Sequence, residues 1–173
     1  MTRMRTGFLG LLAGGLLACG PATALTDDPT SLGTFEDWES FTYQASGASV
    51  CYIYSVPKKS DAVKKVKRDP IYFLVTHFPG RKIHNQISTI IGYPFKESST
   101  VTVKVDDAAF ELYTNGDVAW AAAPETEMQI VNAMKTGTTL SVTGTSWKGT
   151  ETTDTYSLTG VSKAMDTIDS ACK

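Results

Sequence analysis

The sequence has few of the residues on which most catalytic chemistry depends. It contains only two histidines and three cysteines. It has no glycine-rich phosphate loop, no evident pair of catalytic carboxylates and no ligands at metal-site spacing. It also has no internal repeat and no low-complexity tract. These absences favour a non-enzymatic protein without a cofactor or metal ion.

The first 24 residues have the organisation of an export signal. Arg3 and Arg5 precede an apolar run from Phe8 to Ala18, which is too short to span a membrane as a mature helix. Ala22-Thr23-Ala24 then fits a signal-peptidase cleavage site. We therefore predict a signal peptide over residues 1–24 and a periplasmic or secreted mature chain that begins at Leu25.

An alternative processing site overlaps this segment. Leu16-Leu17-Ala18-Cys19 resembles a lipobox, which would produce a lipoprotein tethered to the membrane through Cys19. Leu17 fits its lipobox position poorly, whereas Ala22-Thr23-Ala24 fits its own site well, so the soluble product is favoured.

The remaining cysteines, Cys51 and Cys172, form a pair. In an oxidising compartment such a pair predicts one disulfide, although two buried free thiols are the alternative. Ala164, Ile168 and Cys172 are four residues apart, so a helix would place them on one face. Cys172 would then point at the surface on which that helix packs, as a disulfide requires.

Loss of Arg3 and Arg5 changes the net charge from −2 to −4. An acidic chain argues against nucleic acid as a partner, because that binding requires neutralisation of phosphates. Residues 25–34 are rich in Thr, Asp, Pro and Gly and predict a flexible leader. Residues 35–173 suit a single domain with one core.

Short strand signals recur through this domain, as in a sandwich or barrel. Asn115-Gly116 favours a tight hairpin turn. Two helices interrupt the strands: Pro124 predicts the start of a helix over about 124–136, and Ser162 predicts the N-cap of another over about 162–172. The predicted strands lie at Val50–Val56, Ile71–Phe78, Val101–Val105, Phe110–Leu112, Thr139–Trp147 and Thr152–Leu158.

Several motifs together resemble one known family. The motifs are Gly92-Tyr93-Pro94, Ala119-Trp120, Ala133-Met134-Lys135-x-Gly137, Gly144-Thr-Ser, Gly149-Thr-x-Thr-Thr-Asp-Thr-Tyr-Ser-Leu-x-Gly160 and Ala171-Cys172. Over about residues 35–172 the chain resembles the invasion-associated locus B family of Gram-negative bacteria. The resemblance implies an exported, immunoglobulin-like β-sandwich with its two cysteines bridged. It also implies an association with host-cell invasion in pathogenic members, and no catalytic residue or cofactor.

Polar residues with catalytic potential have simpler interpretations. Alternation along the predicted strand places His77 on the same side as core residues, so we expect its ring to be hydrogen-bonded. We expect His84 to be solvated. The turn at Pro79-Gly80 could bring the two together, but a metal site would need a third ligand. Ser146 lies in Gly-x-Ser-x-x-Gly, one residue longer than a nucleophile elbow and without its strand-to-helix context. Asp154 predicts a buried carboxylate held by backbone N–H groups of the Lys148–Thr150 turn.

One cluster of basic residues precedes the predicted central strand. The favoured interpretation is a solvated loop. The alternative is an anion-contacting surface for lipopolysaccharide, phospholipid headgroups or an acidic partner. The basic cluster comprises Lys58, Lys59, Lys64, Lys65, Lys67 and Arg68.

Trp120, Trp147 and Tyr93 are interpreted as core or rim aromatics.

The sequence therefore predicts an exported cell-envelope protein that binds a macromolecule or contacts a host, without catalysis. A periplasmic structural or stress-related protein that stabilises the envelope is the alternative. A hydrolase is a second, disfavoured alternative. Neither the partner nor the oligomeric state follows from the sequence.

Overall fold

The fold is described by a computed structural model over residues 28–64 and 67–173. The predicted signal peptide, Cys19 and Lys65 lie outside these residues. The described residues form eleven strands, two α-helices and a short 3₁₀ helix at Pro79–Arg81. The strands are β1 (Thr30–Phe35), β2 (Trp38–Ala45), β3 (Ala48–Ser55), β4 (Lys59–Ala62), β5 (Tyr72–Phe78), β6 (Ile83–Ile90), β7 (Thr100–Val105), β8 (Ala108–Asn115), β9 (Val118–Trp120), β10 (Thr139–Thr145) and β11 (Glu151–Ser157). The helices are α1 (Pro124–Thr136) and α2 (Val161–Ala171).

All strand pairs in this sheet are antiparallel, and the strand order is β1-β2-β3-β5-β6-β9-β8-β7-β10-β11-β4. The sheet folds over on itself. Phe73 of β5 and Tyr156 of β11 are distant in strand order, yet their ring centroids lie 5.9 Å apart. Trp38 of β2 likewise donates its indole N–H to the Ser157 carbonyl at 3.0 Å. The predicted all-β sandwich with two short helices is confirmed.

Helix α1 has the predicted bounds, with Pro124 in its first turn. Its apolar face packs Ile130 and Met134 into the core. Met128 does not share that face and is 55% exposed. Gly137 ends the helix in an extended conformation.

Helix α2 begins one residue earlier than predicted, because Gly160 rather than Ser162 is its N-cap. Gly160 has φ 94°, and a Cβ there would lie 2.0 Å from the Phe35 carbonyl oxygen. The predicted inner face of α2 is confirmed, since Ala164, Ile168 and Cys172 are all buried.

The predicted flexible leader is partly wrong. Residues 30–34 belong to β1, which pairs with β2 along its length. Leu32 and Phe35 pack against the core, and this apolar burial stabilises the strand. The polar composition of residues 25–34 gave no indication of this packing. Residues 25–27 lie outside the described part of the chain. Among the described residues, no helix combines the length and apolar character needed to cross a membrane.

The Cys51 and Cys172 sulfur atoms lie 2.11 Å apart and their Cα atoms 5.9 Å apart. These are disulfide distances. The bond ties the end of α2 to β3 and links positions separated by 121 residues. In the chain-entropy model, such a loop restricts the unfolded chain by roughly 4–5 kcal/mol.

Cys172→Ser is expected to lower the free energy of unfolding by roughly 2–4 kcal/mol, because the unfolded chain gains freedom. Urea unfolding followed by circular dichroism measures this change. The matched double variant, Cys51→Ser with Cys172→Ser, should lose the same amount. Mass spectrometry of unreduced peptides should find the two cysteines linked, and free thiols at both positions in exported protein would contradict the bond.

Candidate functional site

The outer surface of β2, β3 and β5 is unusually aromatic. Along each strand, residues of one parity enter the core, such as Ile53 in β3 and Phe73 and Val75 in β5. The residues of opposite parity face outward and are mostly aromatic. We call this surface the aromatic face; its rings are Phe41, Tyr43, Tyr52, Tyr54, Tyr72 and Phe78.

Strand register brings these rings into contact. Phe41 is paired with Tyr52 across β2 and β3. Its ring lies nearly parallel to those of Tyr52 and Tyr54, with centroids 5.6 Å and 5.8 Å away. Tyr43 stands edge-on to Tyr52 at 6.1 Å, and Tyr72 edge-on to Tyr54 at 5.4 Å. The rings therefore form a continuous, uneven aromatic surface instead of a flat platform.

The aromatic face contains an open groove of about 580 Å³. Leu74, Thr76 and Ile90 complete it, and Pro29 lies on its β1 side. Its lining is predominantly apolar, and none of the described lining residues carries a charge. A groove of this size and character is typical of a binding site.

Charged residues border the two ends of the groove. The Arg81 guanidinium lies 5.4 Å from the centre of the Phe78 ring at one end. Toward the other end, Glu39 is the register partner of Tyr54. The groove is therefore uncharged along its length, with a positive group at one end and a negative group toward the other.

The environment of the tyrosines keeps them neutral. Burial raises the pKa of Tyr52, while burial and then the neighbouring Glu39 carboxylate raise the pKa of Tyr54 from 10.0 to about 12. Tyrosine hydroxyls are protonated at neutral pH and can donate and accept hydrogen bonds, and the raised pKa extends this form of Tyr52 and Tyr54 to higher pH.

The sequence interpretation did not identify this face. The available signal was aromatic residues spaced by two, Phe41-x-Tyr43 and Tyr52-x-Tyr54, out of phase with the core residues. The segment Ile71–Phe78 was predicted only as a strand, and the outer residues of β5 line the open groove.

The basic cluster is only partly available to an anion. Lys58 pairs with Asp37, and Lys59 with Asp61 at 2.6 Å. Lys64 and Lys67 are exposed. The described lysines thus lie on the surface, but two of them already have carboxylate partners.

Arg68 was wrongly included in the proposed anion-contacting surface. Its guanidinium makes a two-pronged ion pair with Asp154, with Nη1 2.7 Å from Oδ1. The Arg68 side chain is 10% exposed and that of Asp154 is 0% exposed. Arg68 Nε also donates to the Ile91 carbonyl at 2.9 Å, and Ser60 donates to Asp154 at 2.7 Å.

The predicted partners of Asp154 are therefore also wrong. Its carboxylate is held by Arg68 and Ser60 rather than by the Lys148–Thr150 turn. That turn instead uses Ser146, whose hydroxyl accepts a hydrogen bond from the Thr150 N–H at 3.1 Å. Ser146 is buried in this role, which stabilises the turn.

The histidines come together as expected, with ring centroids 5.3 Å apart. His77 is buried and satisfied: Asn85 N–H donates to its Nδ1 at 3.0 Å, and its Nε2 lies 2.8 Å from Asp169 Oδ1. Because Nδ1 accepts, Nε2 carries the proton and donates to Asp169. His84 is exposed. Within residues 28–64 and 67–173 no three potential ligands gather around a common point.

The three aromatics singled out in the sequence have separate environments. Tyr93 is buried, and its hydroxyl donates to the Gly144 carbonyl at 3.2 Å. Trp120 stacks on Tyr113 at 5.7 Å. Trp147 is 62% exposed at the β10–β11 turn. None of them lines the groove of the aromatic face.

The folded-over antiparallel sheet, the C-terminal helix and the cysteine pair define a disulfide-stapled β-sandwich. The chain belongs to the family described as Invasion associated locus B (IalB) protein, whose sequence model matches residues 38–169.

A similar solved structure is the crystal structure of invasion associated protein b from Bartonella henselae. It has a TM-score of 0.58 and 17% sequence identity, over 86% of this chain and 97% of that chain. At this identity the likeness establishes the fold. A comparison with curated protein sequences gives no match.

The motifs that carried the family resemblance hold the framework together. Gly92 has φ 77°, and a Cβ there would lie 2.3 Å from the Asp69 carbonyl oxygen. Tyr93 bonds to Gly144, and Asp154 receives Arg68. The quoted motifs therefore contain residues that maintain the fold, whereas the residues of the aromatic face lie outside these motifs.

Removal of the Arg68 side chain should be severely destabilising. Arg68→Met is expected to lower the free energy of unfolding by about 3–5 kcal/mol, because it leaves the Asp154 carboxylate buried without a counter-charge. The double variant Arg68→Met with Asp154→Leu should recover much of that loss. Lys64→Gln is the surface control and should change stability by less than about 0.5 kcal/mol. Urea unfolding measures all three, and equal stability of Arg68→Met and wild type would contradict the interpretation.

Stability should fall as pH rises from 10 toward 12. The folded-state pKa of Tyr54 is raised from 10.0 to about 12, so above pH 10 the unfolded chain loses a proton that the folded chain retains. Tyr54→Phe should reduce the fall, because it removes the titrating hydroxyl and keeps the ring. Urea unfolding at pH 8 and at about pH 11 measures the difference. An identical fall in both proteins would contradict the raised pKa.

Proposed function

We propose that this IalB-family chain is an exported, non-enzymatic cell-envelope protein that binds another macromolecule through its aromatic face. The observation that carries the proposal is the uncharged groove of about 580 Å³ between half-buried rings on the outside of a complete core. A host-cell surface component or another envelope protein would fit this role.

The composition of the face supports binding. Tyr and Phe are enriched in the cores of protein interfaces, because a large ring area is buried while the tyrosine hydroxyl stays available for hydrogen bonding. Tyr43, Tyr52, Tyr54 and Tyr72 have this character on one surface. Contiguous apolar patches on soluble proteins commonly mark interaction sites.

Two features support export. Arg3, Arg5 and the apolar run to Ala18 are followed by Ala22-Thr23-Ala24, as in a signal peptide. The disulfide distance between Cys51 and Cys172 suits an oxidising compartment.

N-terminal sequencing of the mature protein should therefore begin at Leu25. Ala24→Arg should block this cleavage, because the site requires a small residue. A mature chain that begins at a lipidated Cys19 would replace the soluble protein by a membrane-tethered one.

Site-specific photo-crosslinking tests the binding surface. With benzoylphenylalanine in place of Tyr72, irradiation of intact cells or envelopes should give a discrete adduct, whose partner mass spectrometry identifies. The matched control places the same group at Trp147, which is 62% exposed but distant in sequence and outside the groove. Adducts from both positions alike, or from neither, would contradict binding at the aromatic face.

A further inference from the structure

The groove has the properties of a site for an extended polypeptide. We propose that the aromatic face binds a proline-containing segment of a partner protein in the polyproline II conformation, with an acidic residue near Arg81 and a basic residue near Glu39. This inference rests on the proposed function and names the class of partner.

The shape of the groove favours such a segment. Proline-rich peptides bind in grooves lined with aromatic side chains, because proline rings pack between aromatic rings and the conformation is preformed. Six aromatic rings line the open groove of this chain, and a proline ring would pack against their exposed faces. The chain's own Pro29 already lies on the groove's β1 side.

The length of the groove also fits. Its β5 lining runs from Tyr72 to Phe78, which corresponds to about 20 Å at the rise of a β-strand. A polyproline II chain rises about 3.1 Å per residue, so about six or seven residues would fill it. The backbone of such a chain makes no internal hydrogen bonds, and its carbonyls can accept hydrogen bonds from tyrosine hydroxyls.

The charges select both the class of partner and its direction. An uncharged lining gives no counter-charge for an anionic polymer along the groove. Arg81 lies at the Phe78 end, while Glu39 pairs with Tyr54 in the other half. A segment with one acidic and one basic residue, about one groove length apart, complements both ends in one orientation. A neutral glycan would use neither charge.

An unbiased selection provides the test. A random ten-residue peptide library displayed on phage is selected on wild-type protein and on the variant Tyr52→Ala with Tyr72→Ala. Peptides enriched on wild type should contain proline and carry acidic and basic residues on opposite sides of it. Their synthetic forms should bind the double variant at least tenfold more weakly in fluorescence anisotropy. Trp147→Ala is the aromatic control and should bind like wild type.

Charge reversal tests the orientation. Arg81→Glu should weaken binding of the selected peptide severalfold, and exchange of the peptide's acidic residue for Arg should restore it. Lys82→Glu is the matched control, because the adjacent Lys82 is exposed but Arg81 is the residue that lies over Phe78. Circular dichroism of every variant separates lost binding from lost fold.

The outcomes distinguish this inference from the proposed function. Selected peptides without proline, or binding that survives the double variant, would overturn the polyproline assignment. So would absence of any enriched peptide together with saturable binding of a β-1,4-linked hexasaccharide that Tyr72→Ala abolishes. In each case a crosslinked partner at position 72 would leave the proposed function standing. Failure of both selection and crosslinking would overturn both.

Discussion

The buried ion pair between Arg68 and Asp154 organises one side of this protein. Asp154 is fully buried in β11, so its carboxylate requires a counter-charge and hydrogen-bond donors. Arg68 supplies both while its Nε holds the Ile91 carbonyl. Ser60 of β4 donates to the same carboxylate. One charged group thus joins the edge strand β4, the segment before β5, the end of β6 and β11, which fixes how the two halves of the sheet meet.

The disulfide between Cys51 and Cys172 holds helix α2 against strands β3 and β5. Cys172 follows α2, and Cys51 lies on β3 opposite His77 of β5. His77 in turn bonds to Asp169 of α2, so a covalent link and a hydrogen bond hold the same helix against the same pair of strands. Strands β3 and β5 are therefore fixed from the inside. Their outer residues are free of any packing role in the core, and these are the residues that form the aromatic face.

Local sequence patterns predicted the elements well and the tertiary partners less well. Pro124 marked the start of α1, and the spacing of Ala164, Ile168 and Cys172 marked the inner face of α2, because both are short-range properties. Arg68 is 86 positions from Asp154. Its neighbourhood is rich in lysine, so composition suggested a solvated or anion-binding loop. The prediction of a flexible leader was partly wrong for the same reason. Its Thr and Gly content suggested flexibility, whereas Leu32 and Phe35 pack against distant core residues.

Membership of the family and the proposed binding role depend on different residues. The quoted motifs include Gly92, where a side chain would meet the Asp69 backbone, and Asp154, which must receive Arg68. Any chain with this fold must solve these packing problems, so such motifs identify ancestry and architecture. The aromatic face lies outside these motifs, and its rings make cross-strand contacts on the outer side of the sheet. Its six neighbouring rings nevertheless line an open apolar groove, and contiguous apolar surface of this kind is the reason why we propose a partner for this face.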